Sequence, residues 1–259
     1  MLDSVMYPSH EEIDETLAAN GCVEGIDLSL LDFASLARDD EYGFERCVVR
    51  DVHIKSDALR GSVWRDCQFL NCTFKGCDVR EAVFENCHFF NAETAEGSTF
   101  RFCELEGTRF VSCDLSVGGL FGCHAFDVEF SDCKMVGFQI EKSNFSRDFG
   151  KLKRNVATFN ACSLMDANFK EADLSSCVIK DCDLSDADLS SAILVGAEIT
   201  ACNLYGVDFK DCDLSGTDLR GSRLDGFDLT AVRSYQGMQV SAGQQHLLLT
   251  SIGIDVFAD

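Results

Sequence analysis

Every fifth residue from Phe159 to Leu229 is a large hydrophobe, with no exception across fifteen positions, and a small residue or cysteine stands two places before nearly all of them. Leu164, Phe169, Leu174, Ile179, Leu184 and Leu189 carry the beat, preceded by Cys162, Ala167, Ala172, Cys177, Cys182 and Ala187. An α-helix buries a period of 3.6 and a strand a period of 2, so neither can hide a strict period of five. A chain that turns a corner every five residues can. Four such sides close a square coil of twenty residues, and stacked coils share one core. Two earlier blocks keep the same period: Phe44, Val49, Ile54, Leu59, Trp64, Phe69, Phe74, Val79, Phe84 and Phe89, then, one residue out of phase, Phe100, Leu105, Phe110, Leu115, Leu120, Phe130, Met135, Ile140 and Phe145, with only Ala125 weak. If the large residue is position i, then i−2 points inward and i−1, i+1 and i+2 face water. Glycine recurs at i+2 (Gly61, Gly76, Gly107, Gly122, Gly137 and Gly196 among others), where a corner needs unusual dihedrals.

The solenoid is thus expected over residues 42–232, between an N-terminal capping extension (1–41) and a C-terminal segment (233–259). In the extension, Ser9 as N-cap with Glu12 at N3 forms a capping box, and Gly21 suits the stop of the helix. Ile13 and Leu17, four apart, would seal the first coil. Two interruptions, 90–98 and 146–155, should emerge as loops, and solenoid insertions often carry function. The second holds Arg147, Lys151, Lys153 and Arg154 against the single acid Asp148, with Phe149 and Leu152 flanking Gly150. In an acidic chain that contrast suits a contact loop. At the C-terminus, Gln244 to Ser251 reads as a short helix stopped at Gly253, then a brief apolar strand. An open solenoid end needs a cover, either its own tail or a second copy. Three consecutive leucines exceed what one helix face can bury, which favours a homodimer through Leu247, Leu248, Leu249, Ile252, Ile254 and Val256.

Fourteen of the fifteen cysteines fall at i−2 and only Cys22 lies outside. There a thiol serves as a small core hydrophobe, so free thiols in a reducing, cytoplasmic compartment are expected rather than disulfides, and no metal site. No signal peptide or membrane-spanning run is visible. The five histidines are scattered, no phosphate-binding glycine loop occurs, and a convex rod offers no pocket to tune a carboxylate. The expectation is a non-enzyme without cofactor. Net charge is −22. Nine or ten coils at roughly 4.8 Å make a rod on the order of 45 Å long, whose charge density is comparable to the roughly one per 1.7 Å of duplex DNA. Residues twenty apart stack, so Asn168, Asp188, Asp208 and Asp228 would form one column, Asp173 and Asp213 a second, and Glu198 and Asp218 a third. Such an acidic surface would attract a basic DNA-binding groove and repel nucleic acid itself. Solubility alone is the simpler use of the same charge.

Motifs such as Ala172-Asp173-Leu174-Ser175-Ser176 and Ala187-Asp188-Leu189-Ser190-Ser191 resemble the A-(D/N)-L-x-x consensus of pentapeptide-repeat proteins. The resemblance spans roughly residues 42 to 232. It implies an all-β fold, the right-handed quadrilateral β-helix. Leu247, Leu248, Gly253, Ile254 and Val256 are spaced like the C-terminal dimerisation module of Qnr-type proteins, pentapeptide-repeat proteins that shield type II topoisomerases from quinolones. The two interruptions also resemble that family's small and large loops. The resemblance implies DNA gyrase or topoisomerase IV as partner, engaged by Glu93, Thr94 and Glu96 in the smaller loop. The protective role of the larger loop falls on Arg147 to Asn155. The acidic DNA-mimic face would be Asp173, Asp188, Asp208, Asp213, Asp218 and Asp228. The chain departs from the family in its N-terminal extension, its negative charge and the basic second loop. An adaptor for another protein, or a gyrase inhibitor that gives no protection, would use the same surfaces.

Overall fold

The structure, a computed structural model, describes residues 12, 13, 15–17, 21–36, 42–150 and 152–255. The five-residue beat becomes a four-sided solenoid. On the first side a nine-stranded parallel sheet runs from Cys22–Glu24 to Glu198–Thr200. Its register brings Phe44, Trp64, Phe84, Phe110, Phe130, Phe159, Ile179 and Ile199 into line, one per coil. The second side carries Val49, Phe69, Phe89 and Leu115. The third holds a five-stranded sheet with Ile54, Phe74, Phe100, Leu120 and Ile140 in register. The fourth carries Leu59, Val79, Leu105 and Ala125, all buried. Rings stack coil on coil: Phe84, Phe110, Phe130 and Phe159 follow each other at 5.0 Å and within 10° of parallel. This offset stacking adds to the hydrophobic gain from burying each ring.

Local chemistry explains each position of the repeat. The i+2 residue adopts the left-handed conformation at corner after corner, with glycine or a tolerant Asp or Asn at most of them, as at Gly61 (φ 67°), Asp66 (φ 53°) and Asn71 (φ 55°). The i−1 residue does not simply face water. Its carboxylate or amide oxygen accepts a hydrogen bond from the backbone N–H two residues on, as in Asp188 from Ser190 (2.8 Å), Asp208 from Lys210 (2.9 Å) and Asn168 from Lys170 (3.0 Å). The consensus Asp or Asn therefore closes the turn. The i−2 residue is a donor as well as a filler. The thiols of Cys113 and Cys133 donate to the carbonyls of Phe84 and Phe110 in the preceding coil, each at 3.3 Å. Thr108, Thr217 and Ser222 make the same bond with hydroxyls at 2.7–2.8 Å. All fifteen thiols are free and fourteen are buried. Burial pushes Cys72 up to about 11, Cys177 to about 12 and Cys212 to about 11.

The ladder reaches beyond residues 42–232 at both ends. Cys22–Glu24 pairs with Gly43–Glu45, so a first coil with Val23 and Leu28 in the core precedes Tyr42. At the other end Asp213 bridges Ser234 and Asp218 bridges Gln239. Both spacings are twenty-one rather than twenty, and that extra residue hides the beat in the sequence. Ser9 lies outside the described residues. Glu12, Ile13 and Glu15 to Leu17 are helical, Gly21 donates to the Leu17 carbonyl at 2.7 Å with φ 65°, and Ile13 and Leu17 are buried on the first coil. Among the described residues no helix is long and apolar enough to cross a membrane.

Candidate functional site

Both interruptions are β-hairpins rather than irregular loops. The first pairs Phe90–Asn91 with Glu96–Gly97 and leaves the corner between the second and third sides. Its root is a polar ladder at twenty-residue spacing: Asn71 donates to Asp51 (2.9 Å) and Asn91 donates to Asn71 (3.1 Å). Thr94, an expected contact residue, instead donates its hydroxyl to Asn71 at 2.9 Å and pins the tip to the coil. Glu93 and Glu96 are exposed. Gly97 is required by close approach, since a β-carbon there would lie 2.4 Å from both the Gly118 nitrogen and the Ser116 carbonyl oxygen.

The second hairpin pairs Ser146–Phe149 with Leu152–Asn155 and turns at Gly150 (φ 65°). Lys151 lies outside the described residues. Arg147 does not reach outward. Its guanidinium is ion-paired with Glu106 and lies over the rings of Phe126 (5.9 Å) and Phe149 (5.6 Å), while those two rings pack at 5.9 Å. The other strand is tied down by Asn155, which is buried and donates its side-chain N–H to the Asp173 carboxylate at 2.7 Å. Phe149 and Leu152 remain 48% and 63% exposed, and Arg154 is exposed, so the presented surface is apolar with a basic edge. Lys153 stands across from Asp148 in the hairpin register.

The six expected acidic-face residues lie on three sides. Asn168, Asp188 and Asp208 stack as a column on the third side, Asp173 and Asp213 flank Ile193 on the fourth, and Glu198 and Asp218 follow Val178 on the first. Asp228 leaves its column and caps the 3-10 turn Leu229–Ala231, accepting from Thr230. Two of the six are neutralised: Asp218 is buried and bound by Arg220 at 2.6 Å, and Asp213 lies 3.5 Å from Arg233. The Arg220 hydrogen bond, working against burial, holds the Asp218 carboxyl below the usual range, and the Ser215 hydroxyl does the same for Asp213. Among the described residues no group of three or more His, Cys, Asp or Glu side chains is arranged to hold a metal.

Family comparison fits this geometry. Residues 151–229 match the pentapeptide repeat region family, and residues 58–93 match the pentapeptide repeats (8 copies) family. The chain is a pentapeptide-repeat protein. No curated protein sequence matches it. Its fold is similar to that of full-length QnrB1, a plasmid-mediated fluoroquinolone resistance protein, with a TM-score of 0.75 at 24% identity over 80% of this chain and 97% of that one. A trypsin-treated form of QnrB1 gives 0.73 at 25% identity, covering 81% and 97%. HetL, a pentapeptide-repeat protein from the cyanobacterium Nostoc sp. strain PCC 7120, reaches only 0.41 at 15% identity, covering 90% and 95%.

The C-terminal end of this pentapeptide-repeat rod is covered first by its own tail. Gln244, expected only as the first residue of the terminal helix, is buried and donates to the carbonyls of Leu219 (2.8 Å) and Ser222 (2.6 Å), which would otherwise be open edges. Its side-chain oxygen accepts from Ser241, a capping box whose Ser-x-x-Gln signature is legible in the sequence. The helix Gln245–Ser251 then packs Leu247 and Leu248 against the core. Leu249 is half-buried, and Ile252 and Ile254 are exposed at 45% and 47%. No strand follows at Ile254–Asp255, because the turn at Gly253 (φ 82°) leaves them without a pairing edge. Val256 lies outside the described residues.

Proposed function

We propose that this protein is a DNA mimic that binds DNA gyrase or topoisomerase IV and protects it from quinolones or another topoisomerase poison. The observation that carries the reading is two anchored hairpins standing on a rod of net charge −22. The likeness in fold to a fluoroquinolone resistance protein supports it. In this reading the stacked Asp188 and Asp208 supply phosphate-like charge to a basic groove. Glu93 and Glu96 in the first hairpin, and Phe149, Gly150, Leu152 and Arg154 in the second, touch the enzyme, with Lys151 and Lys153 adding positive charge. Arg147 and Thr94 hold their hairpins in place. A homodimer would form through Leu249, Ile252, Ile254 and Val256, since Leu247 and Leu248 already cover their own coil. The protein acts by binding and carries out no reaction.

The test is gyrase supercoiling in the presence of ciprofloxacin, with the protein titrated through the enzyme concentration. Restored supercoiling is expected, and deletion of 147–154 should abolish it while the rod still folds. Replacing Asp188 and Asp208 by Asn keeps the turn-closing oxygen and removes the charge, so it should weaken binding without unfolding. Full protection by both variants would overturn the reading. Inhibition without rescue would assign a plain inhibitor instead. An adaptor role is favoured by one observation, the pairing of Asp213 and Asp218 with arginines, which leaves the acid discontinuous.

A further inference from the structure

Left-handed corners are held by glycine or by polar or small residues throughout the described coils, except at Phe102 (φ 56°) and Val117 (φ 57°). A β-branched or bulky residue is the least tolerated choice there. Both border the same stretch of the third side: Phe102 closes the rung of Phe100, and Val117 opens the rung of Leu120. Neither is hidden, at 66% and 45% exposure. Each leans on a glycine of the next coil. The Phe102 ring covers Gly122, where a β-carbon would approach it to 2.8 Å, and Val117 lies over Gly137. Between them Phe121 folds over Gly119 and receives the Arg101 guanidinium 4.2 Å above its ring. Strained apolar residues that stay exposed mark a surface kept for something other than stability.

Charge on the same side points to the partner. Arg101 pairs in register with Lys75, and Lys55 follows Ile54, which pairs with Phe74, so three exposed cations stand on successive rungs. Elsewhere on these coils Arg46, Arg60, Arg65 and Arg80 are ion-paired. Among the described residues Lys55, Lys75 and Arg101 have no carboxylate within ion-pair distance, although the chain carries twice as many acids as bases.

We propose that this side binds an acidic amphipathic helix of a partner protein, laid along the rod axis. Its carboxylates would meet Lys55, Lys75 and Arg101, and an apolar residue beyond them would rest among Phe102, Val117 and Phe121. Rungs repeat at roughly 4.8 Å and a helix at roughly 5.4 Å per turn, so carboxylates one turn apart stay opposite all three cations. In an extended peptide, residues facing one way are roughly 6.8 Å apart and fall out of step by the third rung. A nucleic acid would meet the field of the whole acidic rod, which a short helix with a few carboxylates largely avoids. The proposal does not depend on the topoisomerase reading.

The probe is a fluorescein-labelled, alanine-based helical peptide with three glutamates one turn apart and two leucines a turn further on, followed by fluorescence anisotropy at physiological ionic strength, where charges beyond about 8 Å are screened. Saturable binding is expected. It should weaken about tenfold when the glutamates become glutamines, and about tenfold for the Lys55→Ala/Lys75→Ala/Arg101→Ala protein. The Lys170→Ala/Lys210→Ala protein, altered further along the same side, should bind as before. If the triple variant loses its circular-dichroism melt, the glutamine peptide on the unaltered protein decides. No saturable binding, or equal binding of the glutamate and glutamine peptides, overturns the proposal. So does tighter binding of an oligonucleotide than of the peptide, which would assign the strip to nucleic acid.

Discussion

Arg147 is the residue whose removal separates anchoring of the second hairpin from stability of the rod. Its guanidinium makes an ion pair with Glu106, with the two side chains 53% and 38% exposed, and lies over the rings of Phe126 and Phe149. An exposed pair contributes about 0.2–1 kcal/mol and an exposed cation–π contact about 0.5–1 kcal/mol. Arg147→Ala should therefore favour local opening by about 1–2 kcal/mol, roughly a 5- to 30-fold change in the opening equilibrium. Amide hydrogen exchange reads this directly, because protection of a cooperative unit scales with its own opening. Amides of residues 146–155 should lose that factor, while those around Phe159 and Ile179 keep theirs. Glu106→Gln should reproduce the ion-pair share, and the double substitution should cost less than the two separately. Unchanged hairpin protection would show that Arg147 is not the anchor. An equal loss along all coils would show that the hairpin is not a separate unit.

Three further outcomes follow from the coils. Phe110→Ala empties a fully buried site between the rings of Phe84 and Phe130, and should lower the urea-unfolding free energy by about 3–5 kcal/mol. Gly97→Ala drives a β-carbon into the backbone of Ser116 and Gly118, neither of which can swing aside, and should cost about 2–4 kcal/mol and release the first hairpin to proteolysis. The thiols give a pH signature. Cys72, Cys177 and Cys212 ionise near pH 9.0 when unfolded but are held up to about 11, 12 and 11 in the rod. Their contribution is complete below pH 9 and is lost as pH rises toward those values. These three alone should then lower stability by roughly 4 kcal/mol per pH unit between pH 9 and 11, and replacing them by Ala should reduce the slope of alkaline melts by that share.

What the sequence made legible is whatever repeats. The coil, its core residues, the buried cysteines and the stacking of residues twenty apart all follow from the beat, because each coil contacts only its neighbours and periodicity in sequence is adjacency in space. Thr94 and Arg147 show where that stops. Their sequence context suits contact residues, yet Thr94 bonds Asn71 and Arg147 is held by Glu106 and Phe126, partners on other coils that nothing local singles out. The acidic columns were legible as positions but not as chemistry, since the same oxygen that carries charge also closes the turn at Asp188 and Asp208. The five-residue beat does not reveal the first coil or the last, because twenty-one residues, not twenty, separate their rungs from those of the adjoining coil.

The two hairpins leave the rod from opposed sides, the first after Phe89 and the second after Phe145. Ten five-residue sides separate them, so they sit two and a half turns apart, roughly 12 Å along the axis. The solenoid thus works as a combined ruler and protractor. Inserting one twenty-residue coil would slide the hairpins apart by a single rung at constant bearing, and inserting one five-residue side would swing them by a quarter turn. Separation and direction of the two contact points can therefore be changed independently, by the number of residues between them and without redesigning either.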